Sequence, residues 1–198
     1  MSWGTGIDGE TPLDNRDGLR DKSILTREQL NSAEARNIAT VVQKYLTAKP
    51  SRRSAKFDFP WLLKLHKEMF GKVWSWAGMI RTTNLNIGLE FGLISDQLCQ
   101  MVDDIAYRES RWEMLDQAVH IHHRSVQIHP FRNGNGRWSR MLANIWLRRH
   151  GHSVIDWPGE IGVDTSELRQ EYLACIRAAD GGQMDGLTDL HRRFWQHP

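Results

Sequence analysis

Two helix-patterned stretches separated by a glycine-rich break constrain this chain more than any other feature. In the first, Leu115, Val119, His122 and Val126 recur at steps of four, three and four, lining one face of a helix over about Trp112 to Gln127. In the second, about Asn135 to Arg149, Met141, Leu142, Ile145 and Trp146 supply the apolar face, and His150-Gly151 ends it. Between them runs His129-Pro-Phe-Arg-Asn-Gly-Asn-Gly-Arg137. A buried helix is thus expected to end just before His129, and a loop holding Gly134 and Gly136 to lead into the N-terminus of the next.

The rest of the sequence extends the helical pattern. Thr26, with Glu28 and Gln29 at capping-box distance, starts a helix that runs to about residues 45–49. Asp58 caps another, with Pro60 in its first turn and Gly71 at its end. Ser95 and Asp96 are expected to cap a third through Leu98, Met101, Val102 and Ile105. Two more, near Ser166 to Ala178 and Asp185 to Trp195, close the chain. Arg81 to Ile94 mixes β-branched residues with Asn84, Asn86, Gly88 and Gly92, which predicts a short hairpin. The expected class is therefore all-α, a helical bundle carrying one small β-hairpin. Residues 1–24, polar and turn-rich, read as an extended N-terminal arm, and 25–198 as a single domain with its core at about 58–150.

Composition narrows the function. The 198 residues suit one domain, with 40% apolar and 25% charged residues, enough for a core. Lys+Arg 26 against Asp+Glu 24 argues against a surface built to bind nucleic acid or membrane as a whole. Cys99 and Cys175 do not make a disulfide framework. The apolar runs fall short of the roughly 18 residues a membrane helix needs, and Met1 onward does not read as a secretory leader, so a cytoplasmic location is expected.

The break between the two helices carries the chemistry. Glycines at 134 and 136 let backbone N–H groups turn inward at the positive end of a helix dipole, an anion-binding concavity. Arg137 adds a planar, permanently charged partner for phosphate, and Arg140, three residues on, is placed to reach outer phosphates. His129 at the lip is the one nearby group suited to general-base work near neutral pH. A purely structural glycine-rich turn with a packed histidine is the competing reading of the same residues.

His129-Pro-Phe-x-x-Gly-Asn-Gly-Arg-x-x-Arg140 resembles the signature of Fic-domain (Fic/Doc) proteins, and Trp76-Ala-Gly-x-x-Arg81 resembles the family's stretch leading into its flap, the hairpin that docks targets. The chain is most similar to the short bacterial mobile mystery protein B type. The resemblance implies a protein adenylyltransferase moving AMP from ATP to a Ser, Thr or Tyr hydroxyl of a target protein, with His129 as base. It implies a buried Phe131 that holds the loop, and Gly134, Asn135 and Gly136 as an anion hole, the Asn135 side chain also lying near phosphate. Arg137 and Arg140 would grip the β- and γ-phosphates. A target strand would add to the flap, through Arg81, Thr82, Asn84, Asn86 and Ile87. The family's acidic position, which holds Mg²⁺, is Asn133 here, a weaker hard-cation ligand. Weak activity, a kinase-like or de-AMPylating variant, or a non-catalytic nucleotide-binding module are the alternatives. Members of the family often carry an inhibitory glutamate that pairs with the second motif arginine. Glu34 is the candidate here, expected to pair with Arg140, with a solvated surface glutamate as the alternative. A toxin-like role, with a small antitoxin-like or DNA-binding partner, is a further implication.

Other clusters have plainer readings. His120, His122 and His123 invite a zinc site with His129, but packed or hydrogen-bonded histidines fit the spacing better. The basic residues Arg137, Arg140, Arg148 and Arg149 do not share one face and show little aromatic interleaving, which speaks against direct nucleic-acid binding.

Overall fold

A computed structural model describes residues 16–159 and 166–195. Helices α1 (Arg27–Tyr45), α2 (Phe59–Phe70), α3 (Ile94–Arg108), α4 (Met114–Ile128), α5 (Asn135–Arg149), α6 (Glu167–Asp180) and α7 (Asp185–Phe194) form the molecule. The all-α expectation holds. α4 and α5 make the most extensive pair, joined by the 129–134 loop; α1 packs on α2, which touches α5, and α6 packs on α7, both of which touch α4.

Local chemistry sets the helix starts. Thr26 and Gln29 form a full capping box at α1, and Asp58 accepts from the Trp61 N–H at α2. Ser166 accepts from the Arg169 N–H at α6. α3 departs from expectation. It begins at Ile94 behind a 3₁₀ turn at Phe91–Leu93, so Ser95 and Asp96 lie inside the helix and do not cap it. Ile94 is fully buried in that first turn.

Tryptophans fill the centre. Trp74, Trp138 and Trp146 are almost wholly buried, and each spends its indole N–H on a partner: Glu34, the Leu62 carbonyl and Gln117. Of the expected N-terminal arm, residues 1–15 lie outside the described residues. Residues 16–24 are docked, with Leu19 buried and bridged antiparallel to Trp74, and the Ser75 N–H bonded to the Gly18 carbonyl.

The expected β-hairpin at 81–94 is not formed. Among the described residues, the only β pairing is two isolated bridges, neither in this segment. The segment wraps instead around the Arg81 side chain, which is 2% exposed. Its Nη1 donates to the Thr83 carbonyl at 2.8 Å, and its Nη2 donates to the Leu89 carbonyl. Asn84 Oδ1 accepts from the Phe91 N–H at 2.9 Å. Side chains thus satisfy backbone groups that a hairpin would have paired across strands.

Candidate active site

α4 stops at His129, which adopts a left-handed conformation with φ 51° and ψ 59°. Such a conformation costs a non-glycine residue about 1–2 kcal/mol, so the surroundings must impose it. Arg81 does so from across the loop. Its backbone N–H donates to the Pro130 carbonyl at 3.0 Å and its Nε to the His129 carbonyl at 2.8 Å. Arg81, expected to dock a target segment, is therefore a buried staple of the loop. Thr82, Asn84 and Asn86 remain exposed on the 81–94 segment, and Ile87 is half-buried.

Phe131 is fully buried, as expected. Its ring stacks on His66 at 3.7 Å between centroids and meets Trp138 edge-on at 5.0 Å. The Asn135 side chain departs from expectation. Its Oδ1 accepts from the Phe131 N–H at 2.9 Å and its Nδ2 donates to the Phe131 carbonyl at 2.8 Å. The amide closes the loop on itself, leaving the backbone at the α5 N-terminus to face a ligand.

His66, buried on α2, is the second support. The Gly78 N–H donates to Nδ1 at 2.9 Å, so Nε2 carries the proton and donates to the Asn133 carbonyl at 3.0 Å. Complete burial pushes its pKa down to about 3, which keeps the ring neutral and that hydrogen-bond order fixed. The Trp-Ala-Gly stretch was the only signal for this link. Gly78 sits at φ 80°, where a Cβ would meet the Lys67 Cβ at 2.8 Å.

Gly134 starts α5 with φ 81°, and a Cβ there would lie 2.7 Å from the Phe70 ring. Gly136 is open, with only Arg140 Nη1 near, at 3.6 Å from a Cβ position. Gly136 and His129 line a cavity of about 350 Å³, together with Ile87 and Leu89 of the loop and Tyr172, Leu173 and Ile176 of α6. Gln127, Arg169, Arg177 and Asp180 add polar and charged walls, and a helix N-terminus opens at its edge, a combination suited to a small polar ligand.

His129 is 6% exposed. Desolvation, with a smaller contribution from the Arg81 charge, lowers its pKa to about 4, against a hydrogen bond to the Val126 carbonyl that works to raise it. The imidazole is neutral at pH 7. A neutral ring that gives its N–H to a carbonyl keeps its other nitrogen as a proton acceptor.

The two motif arginines go separate ways. Arg140 lies over the Tyr172 ring, 5.9 Å from its centroid. Arg137 lies over Phe70, 4.8 Å from its ring centroid, and donates to Glu34 Oε2 at 2.5 Å. Glu34 is 3% exposed and also accepts from Trp74 Nε1 at 2.6 Å. The expected Glu34–Arg140 pair is thus replaced by Glu34–Arg137, and the solvated alternative is excluded, because α1 packs against α2 with Glu34 on its buried face.

Asn133 is 8% exposed, and its Oδ1 accepts from Arg137 Nη2 at 3.4 Å. Among the described residues, no group of three or more His, Cys, Asp or Glu side chains could hold a metal ion. One neutral oxygen already facing a guanidinium does not fit a Mg²⁺ site by itself. The histidines of α4 are spent on hydrogen bonds: His122 with His191 and Tyr172, His123 with Asp180, and His120 with Arg108. No described helix is long and apolar enough to cross a membrane.

The described helices and the loop at their centre are those of a Fic domain. Residues 56–147 match the Fic/DOC family. Over 130 residues it is 32% identical to protein adenylyltransferase fic-1 of Caenorhabditis briggsae, covering 62% of this chain and 24% of that protein. Over 151 residues it is 33% identical to protein adenylyltransferase VbhT of Bartonella schoenbuchensis, covering 71% of this chain and 30% of that protein. The chain thus spans about a quarter to a third of the length of these curated relatives. Among solved structures, Fic-1 (residues 134–508) of C. elegans superposes with a TM-score of 0.67 at 22% identity, over 90% of this chain and 52% of that one. BepC of Bartonella tribocorum with bound AMPPNP gives 0.65 at 18% identity, over 93% and 98%. These likenesses establish the fold.

Proposed function

We propose that the chain is a protein adenylyltransferase that moves AMP from ATP to a Ser, Thr or Tyr hydroxyl of a target protein. One observation carries this reading: a neutral, buried His129 borders the same cavity as the open N-terminus of α5. The relatives' activity and the AMPPNP bound to BepC support ATP as the substrate.

In this reading the nucleoside occupies the cavity between the 81–94 loop and α6, with the phosphates at the backbone N–H groups of 134–136. Arg140 grips the outer phosphates, and Arg137 joins it once released from Glu34. His129 accepts the proton of the incoming hydroxyl, whose oxygen bonds to the α-phosphorus. The bond from that phosphorus to the bridging oxygen breaks, and pyrophosphate leaves with the electron pair. The apo pKa of about 4 makes His129 a weak base; the charge of bound polyphosphate raises it toward the working range. Any Mg²⁺ arrives on the nucleotide, held chiefly by its phosphates. The exposed Thr82, Asn84 and Asn86 face the target, ATP use fits a cytoplasmic setting, and a small antitoxin-like partner could hold the enzyme in check.

A second reading, a resting module with weak turnover, draws on the Glu34–Arg137 pair and on Asn133. One assay separates the readings. The protein is incubated with Mg²⁺, lysate and ATP labelled at the α- or γ-phosphate. Protein-bound α-label that is lost in His129→Ala supports AMP transfer; γ-label alone points to kinase chemistry. Silence with either label favours the resting module.

A further inference from the structure

A buried chain of polar side chains runs from α7 through α4 to α6 and ends on Arg140. His191 Nδ1 lies 2.7 Å from the Leu187 carbonyl, which can only accept, so Nδ1 carries a proton. His191 is fully buried with its pKa lowered to about 4, and the ring is neutral at pH 7. Its Nε2 is therefore an acceptor. His122 Nδ1 lies 2.8 Å from that nitrogen and must donate to it. Burial holds His122 well below its ordinary pKa, so its Nε2 is in turn an acceptor. The Tyr172 hydroxyl, 3.1 Å away, donates to it. Burial raises the Tyr172 pKa, which keeps that proton in place, and the Arg140 guanidinium lies over the same ring, 5.9 Å from its centroid, where the phenol oxygen still has a lone pair to offer it. Every donor direction in the chain is determined, starting from one backbone carbonyl.

Such a chain does more than fill a core. A guanidinium on a long side chain has many rotamers, and ordering it on binding costs free energy. The groups facing Arg140 are Tyr172, Arg137 and Arg169, none of them a carboxylate. A neutral acceptor can hold a guanidinium in place without cancelling its charge, whereas Glu34 does cancel that of Arg137. The Tyr172 ring also borders the cavity next to Gly136, so the held guanidinium stands at the helix N-terminus.

We infer that Tyr172, His122 and His191 are positioning residues that pre-orient Arg140 toward the outer phosphates of the nucleotide. This rests on the nucleotide-site reading above. Outer phosphates are present in ATP and absent from AMP, so the ratio of the two affinities isolates the effect from general damage to the cavity.

The test is titration calorimetry of the full chain with ATP and with AMP, alongside thermal melts. Arg140→Ala is the reference and should lower ATP affinity while sparing AMP. Tyr172→Phe keeps the ring and removes the oxygen. It should weaken ATP binding on the order of tenfold and AMP by less than about twofold. In the Arg140→Ala background it should add nothing further, because the two act through one group. His122→Leu should shift the ATP-to-AMP ratio in the same direction. His122→Gln, whose amide reaches the Nε2 position, should restore most of it, which a merely packed histidine would not require. If Tyr172→Phe fails to fold, the His122 pair decides the question. The positioning role is overturned if Arg140→Ala changes the ratio but Tyr172→Phe and His122→Leu leave it alone. It is also overturned if they weaken both nucleotides equally. If Arg140→Ala itself leaves the ratio unchanged, the phosphate role of Arg140 has failed, which is a separate result.

Discussion

Replacing Glu34 by Gln separates the two jobs that one buried carboxylate performs. Oε1 takes the Trp74 indole N–H at 2.6 Å and Oε2 takes Arg137 Nη1 at 2.5 Å. A Gln side chain retains an oxygen for Trp74 and removes the charge that faces Arg137. A hydrogen bond to a charged group contributes about 1.5–3 kcal/mol. The Arg137 side chain is 34% exposed, so solvent screening argues for the lower end of that range. If Arg137 must leave Glu34 before it meets a phosphate, apparent ATP affinity is reduced by the fraction of molecules in which it is free. About 1.5 kcal/mol corresponds to roughly tenfold. Glu34→Gln should therefore tighten ATP binding by about tenfold and raise self-labelling from α-labelled ATP, while the resting fold loses that same interaction, about 1.5 kcal/mol. Glu34→Ala should release Arg137 equally but orphan the Trp74 N–H, at a cost of about 1–3 kcal/mol. ATP titration, α-label incorporation and a thermal melt on the three proteins check this. Unchanged ATP affinity together with unchanged labelling in Glu34→Gln would refute the reasoning, because the charge would then be gone without consequence.

Gly134→Ala should destabilise the domain by about 2 kcal/mol or more, since φ 81° and the Phe70 ring at 2.7 Å both oppose a Cβ; a urea melt reads this. Asn133→Asp supplies the carboxylate a hard cation prefers and should lower the Mg²⁺ concentration needed for half-maximal labelling; an unchanged Mg²⁺ profile would count against position 133 as the cation contact. The pH profile of kcat/KM should be flat from pH 6 to 8, because the His129 pKa of about 4 leaves the free enzyme's base unprotonated throughout. An acid limb near pH 6.5 would contradict that burial effect. Stability should fall on acidification: His66, His122 and His191 have lowered pKa values in the folded state, so the unfolded chain binds more protons below about pH 6.5. Their contribution is complete above that pH and declines as the pH drops toward 4, so the urea midpoint should be lower at pH 5 than at pH 7.

What the sequence made legible was mostly local. The capping box at Thr26, the Asp58 cap and the apolar stripe of α4 depend on neighbours within a turn or two, and each formed as the spacing predicts. The glycine-rich break likewise announces its own backbone, since φ 81° at Gly134 is a position few other residues tolerate. The departures at Arg81 and Asn135 share one cause, a polar side chain claimed by backbone groups that the local pattern does not show. Arg81 turned a hairpin pattern into a wrapped loop by donating to the carbonyls of Thr83 and Leu89 and to that of His129, 48 residues away. Asn135 carries the motif's amide, but proximity to Phe131 gave it a structural task.

The motif arginines make the same point about function. Side chains three residues apart on a helix differ by about 60° in direction, close enough to share a ligand and far enough to be claimed by different neighbours. α1 claims Arg137 through a carboxylate and α6 claims Arg140 through the Tyr172 ring. The first partner competes with phosphate by charge; the second does not. The motif therefore encodes which ligand the loop can take, whereas the two flanking helices decide whether each arginine is ready to take it.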